Sequence, residues 1–326
     1  MSDAYKIYDY GGMILDEGRS RAYAESLKHV VTADSVVLDI GAGTGFLALL
    51  AAQLGARKVY AIEPSDAVQF GQRAAAQNGL DRRVEFIKGL SFDIDLPEKV
   101  DVIVSDLHGV LPAYRRGLSS IIDARDRFLA RGGALIPSRE TLWAAIVEAP
   151  RLHHEVVGVW GLDVLGLDLT PMRAAAMNTW HKTRLTAPDL VTVPACWATL
   201  EYQTLQSPDV RGELLWKALD RRSAHGICVW FDWEGAEGIG FSNSPLSGER
   251  HIFGQAFFPW PEPLDLCAGD EVRVQLRADA VQSSYIYRWE TRVDDAHGQT
   301  RAVFQQSDFF GTPLSVGRLQ QLTAHK

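Results

Sequence analysis

The sequence is poor in cysteine, the residue that builds disulfide frameworks and many zinc sites. Its 326 residues include only three cysteines, Cys196, Cys228 and Cys267. They lie far apart, are odd in number and have no CxxC spacing, which fits neither a disulfide framework nor a zinc site. We therefore expect buried thiols and no bound metal.

Long apolar runs and an excess of positive charge are also missing. No stretch reaches the roughly 18 apolar residues of a membrane span, and the N-terminus, MSDAYKIYDYGG, lacks the pattern of a signal peptide. The net charge of −8 gives no overall attraction to a nucleic-acid backbone. We expect a cytoplasmic globular protein that binds neither membrane nor nucleic acid.

The pattern of the chain changes near residue 137. Before it, short apolar runs such as SVVLDI and KVYAIE alternate with helical patterns, which is typical of crossover units around a parallel sheet. After it come many short segments rich in Trp, Tyr, Val and Thr, separated by Gly and Pro turns. The sequence predicts an α/β domain at about 35–137 and a β-rich, barrel-like domain at 138–326.

The main chemical signal is VVLDIGAGTGFLALLAAQLGARKVYAIEPS. Gly41, Gly43 and Gly45 follow a predicted strand, and glycines there let the backbone approach a ligand closely. Glu63 ends the next strand, where a carboxylate can accept hydrogen bonds from both hydroxyls of a ribose. Asp39 places a negative charge beside the loop and so favours a cationic ligand over a pyrophosphate. S-adenosylmethionine is such a ligand; the alternative is a plain tight turn.

Several stretches resemble the protein arginine methyltransferases in order and spacing. They are YGGMILDEGRSRAY, the glycine-loop run, EKVDVIVSDLHG, ARDRFLARGGALIP and GFSNSPLSGERHIFGQAFFPWPEPLDLCAGDEV. The resemblance covers nearly the whole chain from about Tyr5. It implies a doubly wound Rossmann-like methyltransferase domain, a following β-barrel-like domain, and S-adenosylmethionine as the cofactor.

The resemblance also implies cofactor contacts. Arg19 would hold the carboxylate of the cofactor from an N-terminal helical segment, residues 1–34, that covers it. Asp39 and Gly41 would line the methionine part, and Glu63 would hold the ribose.

Two further residues belong to the predicted cofactor set. The adenine-contacting carboxylate of the family falls near Phe92, so Asp93 is the expected substitute. Ser105, at the end of a predicted strand, completes the set. The less regular piece at about 160–190 lies where the family inserts its dimerisation arm, which implies a homodimer.

In the family, a hairpin after the fourth strand holds the methyl acceptor, and the corresponding stretch of this chain, residues 105–115, departs from the family pattern. The family has S-E-W-M-G and a second glutamate further on, whereas this chain has Asp106 and His108 in SDLHG, and Arg115 at the second position. The family's Thr-His-Trp loop is replaced by His251 and the two residues after it. A guanidinium is always protonated and needs carboxylates to hold its charge, so Arg115 predicts a poor arginine site.

We therefore expect a methyltransferase that acts on a hydroxyl, amine or carboxylate of a peptide or small metabolite. Asp106 and His108 are the candidate catalytic residues, and Arg115 and His251 the candidate substrate-binding residues. One alternative is a protein arginine methyltransferase with an atypical hairpin. Another is a catalytically silent module that keeps the cofactor fold.

Overall fold

A computed structural model describes residues 5–311 of the chain. The first half forms a five-stranded parallel sheet in the order β3-β2-β1-β4-β5. Its strands are β1 (Val36–Ile40), β2 (Lys58–Glu63), β3 (Val84–Lys88), β4 (Val100–Ser105) and β5 (Leu129–Ile136). All five residues of β1 are buried, as expected for a parallel strand that helices cover on both faces.

Five helices accompany this sheet: α1 (Ile7–Leu15), α2 (Glu17–Val30), α3 (Phe46–Gln53), α4 (Val68–Gln77) and α5 (Gly117–Phe128). The strand order reverses between β1 and β4, and the pairing sets Ile40 beside Ser105. In doubly wound sheets, ligands bind at such a reversal, outside the carboxyl ends of the strands. The predicted glycine loop and the predicted acceptor hairpin both begin there.

The second half consists mainly of antiparallel strands with two short helices, α6 (Pro150–Val156) and α7 (Thr170–Ala176). A six-stranded sheet and a four-stranded sheet form it, with a separate two-stranded hairpin. The strands are β6 (Arg139–Val147), β7 (Asp163–Val164), β8 (Leu167–Asp168), β9 (His181–Thr183), β10 (Ala195–Glu201), β11 (Val210–Lys217), β12 (Arg222–Ala236), β13 (Ile239–Ser242), β14 (Gln255–Leu266), β15 (Glu271–Val281), β16 (Ser284–Asp294) and β17 (Thr300–Ser307).

One hydrophobic core runs through both halves. Helix α2 links the two halves, because it packs against α3 of the first half and against β12 and β13 of the second. Tyr23 of α2 packs on Trp233 of β12 with ring centroids 4.5 Å apart. The predicted fold, a doubly wound sheet followed by an antiparallel β domain, is confirmed; a barrel-like closure and the domain boundaries stay predictions.

The segment 160–190 projects apolar side chains outward. It contains the β7–β8 hairpin, α7 and β9, and its large hydrophobic residues that are at least 40% exposed are Leu162, Val164, Leu165, Leu167 and Met172. An exposed apolar group of this size is typical of an interaction surface. In the part of the chain from residue 5 to 311, no helix is long and apolar enough to cross a membrane.

Candidate active site

The glycine loop between β1 and α3 has the geometry of a ligand cradle. Gly41, Gly43 and Gly45 have φ values of 72°, 55° and 83°, in the left-handed region that glycine adopts without strain. A Cβ at Gly43 would lie 2.6 Å from Tyr10 Cε1, and one at Gly41 would collide with Leu107. The backbone can therefore come this close to its neighbours only with glycine at these positions.

Glu63 holds this loop from the end of β2. Its Oε2 accepts a hydrogen bond from the Gly43 N–H at 2.9 Å, and its Oε1 accepts one from the Ser65 N–H at 2.8 Å. Each carboxylate oxygen can accept a second hydrogen bond. The carboxylate therefore fixes the loop and keeps acceptor capacity for a bound ribose, although the ribose contact itself stays a prediction.

Asp39 is a buried carboxylate with half of its hydrogen-bonding capacity unused. Its Oδ2 accepts from the Ala48 N–H at 2.9 Å, whereas its buried Oδ1 has no partner among the described residues. Burial, together with the charges of Asp106 and Glu63 and against the lowering effect of the Ala48 hydrogen bond, raises the pKa of Asp39 to about 7. An orphaned acidic oxygen beside a glycine cradle suits a cationic group, so these residues fit S-adenosylmethionine.

Arg19 lies in α2 and is 3% exposed. Its guanidinium donates to the Asp106 carboxylate and to the Met13 carbonyl, the latter at 3.1 Å, while its buried Nε has no partner in the described chain. The helix places it there because Asp16 caps the N-terminus of α2 through the Arg19 N–H at 3.1 Å. The structure thus brings a cation to the edge of the glycine loop, where a cofactor carboxylate was predicted.

Ser105 ends β4, and Asp106 follows it beside the same helix. The Tyr23 hydroxyl donates to the Ser105 carbonyl at 3.0 Å and approaches Asp106 Oδ1 at 3.3 Å. Asp106 is therefore fixed by two side chains of α2, Arg19 on one oxygen and Tyr23 on the other. The candidate catalytic carboxylate thus forms one cluster with the candidate cofactor residues Arg19 and Ser105.

His108 lies behind the hairpin and not on an open loop. Its side chain is 5% exposed, and its Nε2 pairs with Oε1 of Glu140. The other Glu140 oxygen accepts from the Tyr202 hydroxyl at 2.7 Å. The His108 ring packs near Phe231 and Phe253, with centroids 4.8 and 5.3 Å away.

Glu140 and Tyr202 are site residues that our sequence reasoning missed. Glu140 occupies a fully buried position of β6, where buried and more exposed residues alternate. A charged residue on the inward face of an otherwise half-buried strand is a signal that could have identified it. Tyr202 carries no such signal, because a buried tyrosine is common.

His251 contacts the helix cap and does not face an open cleft. Its Nδ1 lies 2.9 Å from Asp16 Oδ1, and the Ile252 N–H donates to Asp16 Oδ2 at 2.8 Å. Burial lowers the pKa of His251, but the hydrogen bond and charge of Asp16 outweigh burial and raise it above its ordinary value. The altered loop is thereby joined to the start of α2; a substrate-binding role for His251 stays a prediction.

Arg115 and Asp93 are exposed, unlike the other candidate residues, which are buried or half-buried. Arg115 is exposed, has a φ of 49° and carries its guanidinium 5.1 Å from the Tyr114 ring centroid. Asp93 is exposed in the short turn after β3. Neither placement tests the predicted substrate or adenine contact.

Comparisons with known proteins agree with this geometry. The family model for ribosomal protein L11 methyltransferase matches residues 22–138, and the model for the arginine methyltransferase oligomerization subdomain matches residues 138–289. The chain is 31% identical over 286 residues to protein arginine N-methyltransferase 6 of Xenopus laevis, covering 82% of this chain and 80% of the relative.

Two plant relatives are longer than this chain. The probable protein arginine N-methyltransferase 6 of Arabidopsis thaliana is 32% identical over 234 residues, and the match covers 68% of this chain and 53% of that protein. The probable histone-arginine methyltransferase CARM1 of rice (Oryza sativa subsp. indica) is 33% identical over 268 residues, covering 77% of this chain and 51% of that protein. The chain thus spans about half the length of these two relatives.

Solved structures share the fold. The Trypanosoma brucei PRMT1 enzyme-prozyme heterotetrameric complex with AdoHcy aligns with a TM-score of 0.83 and 22% identity over 92% of this chain and 96% of that one. Arabidopsis thaliana protein arginine methyltransferase 10 aligns with a TM-score of 0.81 and 24% identity over 93% and 97%. These structures confirm the fold, and the sequence relatives confirm the predicted family: the chain belongs to the protein arginine methyltransferases, a family of S-adenosylmethionine-dependent enzymes.

Proposed function

We propose that this protein transfers a methyl group from S-adenosylmethionine to an arginine side chain of a protein, through a hairpin whose carboxylate is Asp106. The observation that carries the proposal is the match to relatives named protein arginine N-methyltransferases, one of them over 80% of its length. Our expectation of a non-arginine acceptor is not confirmed, and these names favour the alternative of an atypical arginine methyltransferase.

The cofactor supplies an electrophilic methyl group on a sulfonium, and the chain supplies its binding site. The Asp39 Oδ1 and the glycine loop are suited to the cationic methionine part, and Arg19 to its carboxylate. Glu63 would accept from the ribose. Asp93 is proposed to contact the adenine, and Ser105 is proposed to belong to the same cofactor site.

Asp106 can serve a guanidinium while it stays fixed to α2. Arg19 contacts one carboxylate oxygen and Tyr23 the other, and each oxygen retains a further acceptor position. A carboxylate that receives two parallel N–H donors from a guanidinium both binds and orients it. Catalysis would then come mainly from holding the acceptor nitrogen in line with the sulfonium methyl.

A second candidate, transfer to a hydroxyl, amine or carboxylate of a peptide or small metabolite, is favoured by one residue. Arg115 aligns with the second hairpin glutamate of the family, and it is exposed at the start of α5. A positive charge repels an incoming guanidinium, with an energy of about 1 kcal/mol at 4 Å in water. The same charge attracts an anionic acceptor.

Reversing the charge of Arg115 distinguishes the two candidates. If arginine is the acceptor, Arg115→Glu should increase kcat/KM for glycine–arginine peptides by about 5- to 30-fold, since a repulsion becomes an attraction. Arg115→Gln, which removes charge without reversing it, should give an intermediate gain. A decrease in both variants, with methylation of an anionic acceptor by the unaltered protein, would favour the second candidate.

We also propose a homodimer through the projecting segment 160–190. Its exposed side chains at Leu165 and Leu167, 97% and 60% exposed, form an apolar surface on a hairpin that stands away from the core. The partner is a second copy of this chain, because the segment carries the oligomerization subdomain match.

A further inference from the structure

A buried polar group lies directly behind the acceptor hairpin, and the proposed function leaves it without a role. Glu140 is completely buried, with His108 on one oxygen and Tyr202 on the other. A buried carboxylate is costly unless it is paired and hydrogen-bonded on both oxygens. The arrangement therefore holds the His108 ring in one orientation.

The orientation leaves one ring nitrogen of His108 without a partner. Nε2 faces Glu140, and a carboxylate oxygen accepts only from a protonated nitrogen. In the neutral ring the lone pair is then on Nδ1, which is buried and has no partner within residues 5–311. An imidazole whose N–H is held by a carboxylate and whose other nitrogen is unengaged has the arrangement of a general base.

The position of the ring is also suitable. His108 is two residues after Asp106 on the same loop, and its ring contacts Phe253 of the loop that Asp16 joins to α2. Asp106 is the carboxylate that is proposed to hold the acceptor. The ring thus packs against Phe231 and Phe253 and belongs to a residue two positions from the proposed acceptor carboxylate.

We propose that His108 takes up, through Nδ1, the proton that the acceptor loses on methylation, and that Glu140 and Tyr202 are positioning residues for this step. The inference rests on the proposed function, because it uses the same acceptor site. The acceptor nitrogen forms the new N–C bond with its lone pair, and the electrons of the C–S bond remain on sulfur. The proton of that nitrogen moves to Nδ1, and the resulting imidazolium is balanced by Glu140.

The charges around His108 set the pH range in which it is a base. Burial lowers the pKa of His108, but the charge and hydrogen bond of Glu140 outweigh it, helped by the charge of Asp106 and opposed by Arg19. The pKa is therefore above its ordinary value. Activity should fall as pH decreases through that raised pKa, since protonated His108 accepts no proton.

The experiment measures methyl transfer at saturating S-adenosylmethionine from about pH 5.5 to 9 in the unaltered protein and in Glu140→Gln. The kcat of the variant should be roughly 10- to 100-fold lower. The acidic limb of its pH–rate profile should move to lower pH by about one unit or more, because burial then dominates the pKa of His108. Glu140→Asp, which keeps the charge, should retain the position of the limb. Glu290→Gln, an exposed position of β16, is the matched control.

His108→Gln should lower kcat by about 10²- to 10⁴-fold without weakening binding of S-adenosylmethionine, whereas the exposed His29→Asn should change neither. If Glu140→Gln does not fold, ¹⁵N NMR of the unaltered protein tests the same point: neutral His108 should carry its proton on Nε2. A proton on Nδ1, an unmoved limb in folded Glu140→Gln, or full activity of His108→Gln overturns the inference.

The outcomes separate this inference from the proposed function. If the protein forms methylarginine but the acidic limb of the pH–rate profile does not move in Glu140→Gln, the role of His108 as a base is wrong and the proposed function still holds. If the methyl group goes to a different acceptor and the acidic limb does move in Glu140→Gln, the proposed function is wrong and the role of His108 as a base still holds. Absence of transfer to any acceptor, or transfer to a carboxylate, which loses no proton, overturns both.

Discussion

Replacement of Asp39 by asparagine should remove a pH dependence that is specific to this site. Burial raises the pKa of Asp39 from 3.8 to about 7, so the folded protein binds a proton between these pH values that the unfolded chain does not. The contribution of Asp39 to the free energy of unfolding is therefore largest at about pH 4 and decreases as the pH rises towards 7. About three pKa units at 1.36 kcal/mol each give an upper limit of about 4 kcal/mol.

Asparagine retains the shape of the side chain and an oxygen that can accept from the Ala48 N–H. Thermal melting of the cofactor-free protein at several pH values should show that Asp39→Asn is more stable than the unaltered protein near pH 7, with a difference that shrinks towards pH 4. Groups that titrate in both proteins cancel in this comparison. Asp34→Asn, at an exposed turn before β1, is the control and should show no such trend.

Binding of S-adenosylmethionine should show the opposite pH dependence. A cationic ligand favours ionised Asp39, so affinity for the unaltered protein should weaken by about tenfold per pH unit below pH 7. Calorimetry should find weaker and nearly pH-independent binding in Asp39→Asn. Parallel pH dependences of melting in the two proteins, or undiminished binding by the variant, would refute the reasoning about this carboxylate.

Three further predictions concern the cofactor loop, the projecting segment and the helix cap. Glu63→Ala should weaken S-adenosylmethionine binding by about 1.5–3 kcal/mol in calorimetry, whereas the exposed Glu85→Gln should not; tight NAD binding instead would contradict the site. Light scattering should find a dimer at tens of micromolar that Leu165→Asp weakens and that Leu219→Asp, at a position that is 79% exposed outside the segment, does not. Asp16→Asn should lower the melting temperature by an amount that corresponds to about 1–3 kcal/mol, because Asp16 caps α2 and holds the 251–252 loop.

The cofactor side of the site could be predicted from the sequence because its residues are close along the chain. A buried strand, the glycine spacing and a carboxylate at the end of the next strand predicted Asp39 and Glu63 at one edge of the sheet. Their hydrogen bonds were not readable, because they depend on where the loop backbone turns: Glu63 holds the Gly43 N–H, and Asp39 holds the Ala48 N–H.

The acceptor side was less readable because its contacts join distant segments. Glu140 lies 32 residues from His108, and His251 lies 235 residues from Asp16. Such pairs depend on how β6 and the loop before β14 pack against the first half, which no local pattern specifies. His108 was predicted as a catalytic residue, and its burial against Glu140 became visible only in the fold.

The identity of the methylated residue tests the central claim most directly. The unaltered protein is incubated with methyl-labelled S-adenosylmethionine and a mixture of protein and peptide acceptors, and the labelled product is hydrolysed in acid and separated by amino-acid analysis. We expect the label in methylarginine. Label that is released as methanol by mild alkali, or that lies in another residue or a small metabolite, contradicts the arginine proposal, and absence of any labelled product in the presence of cofactor binding identifies a binding module without turnover.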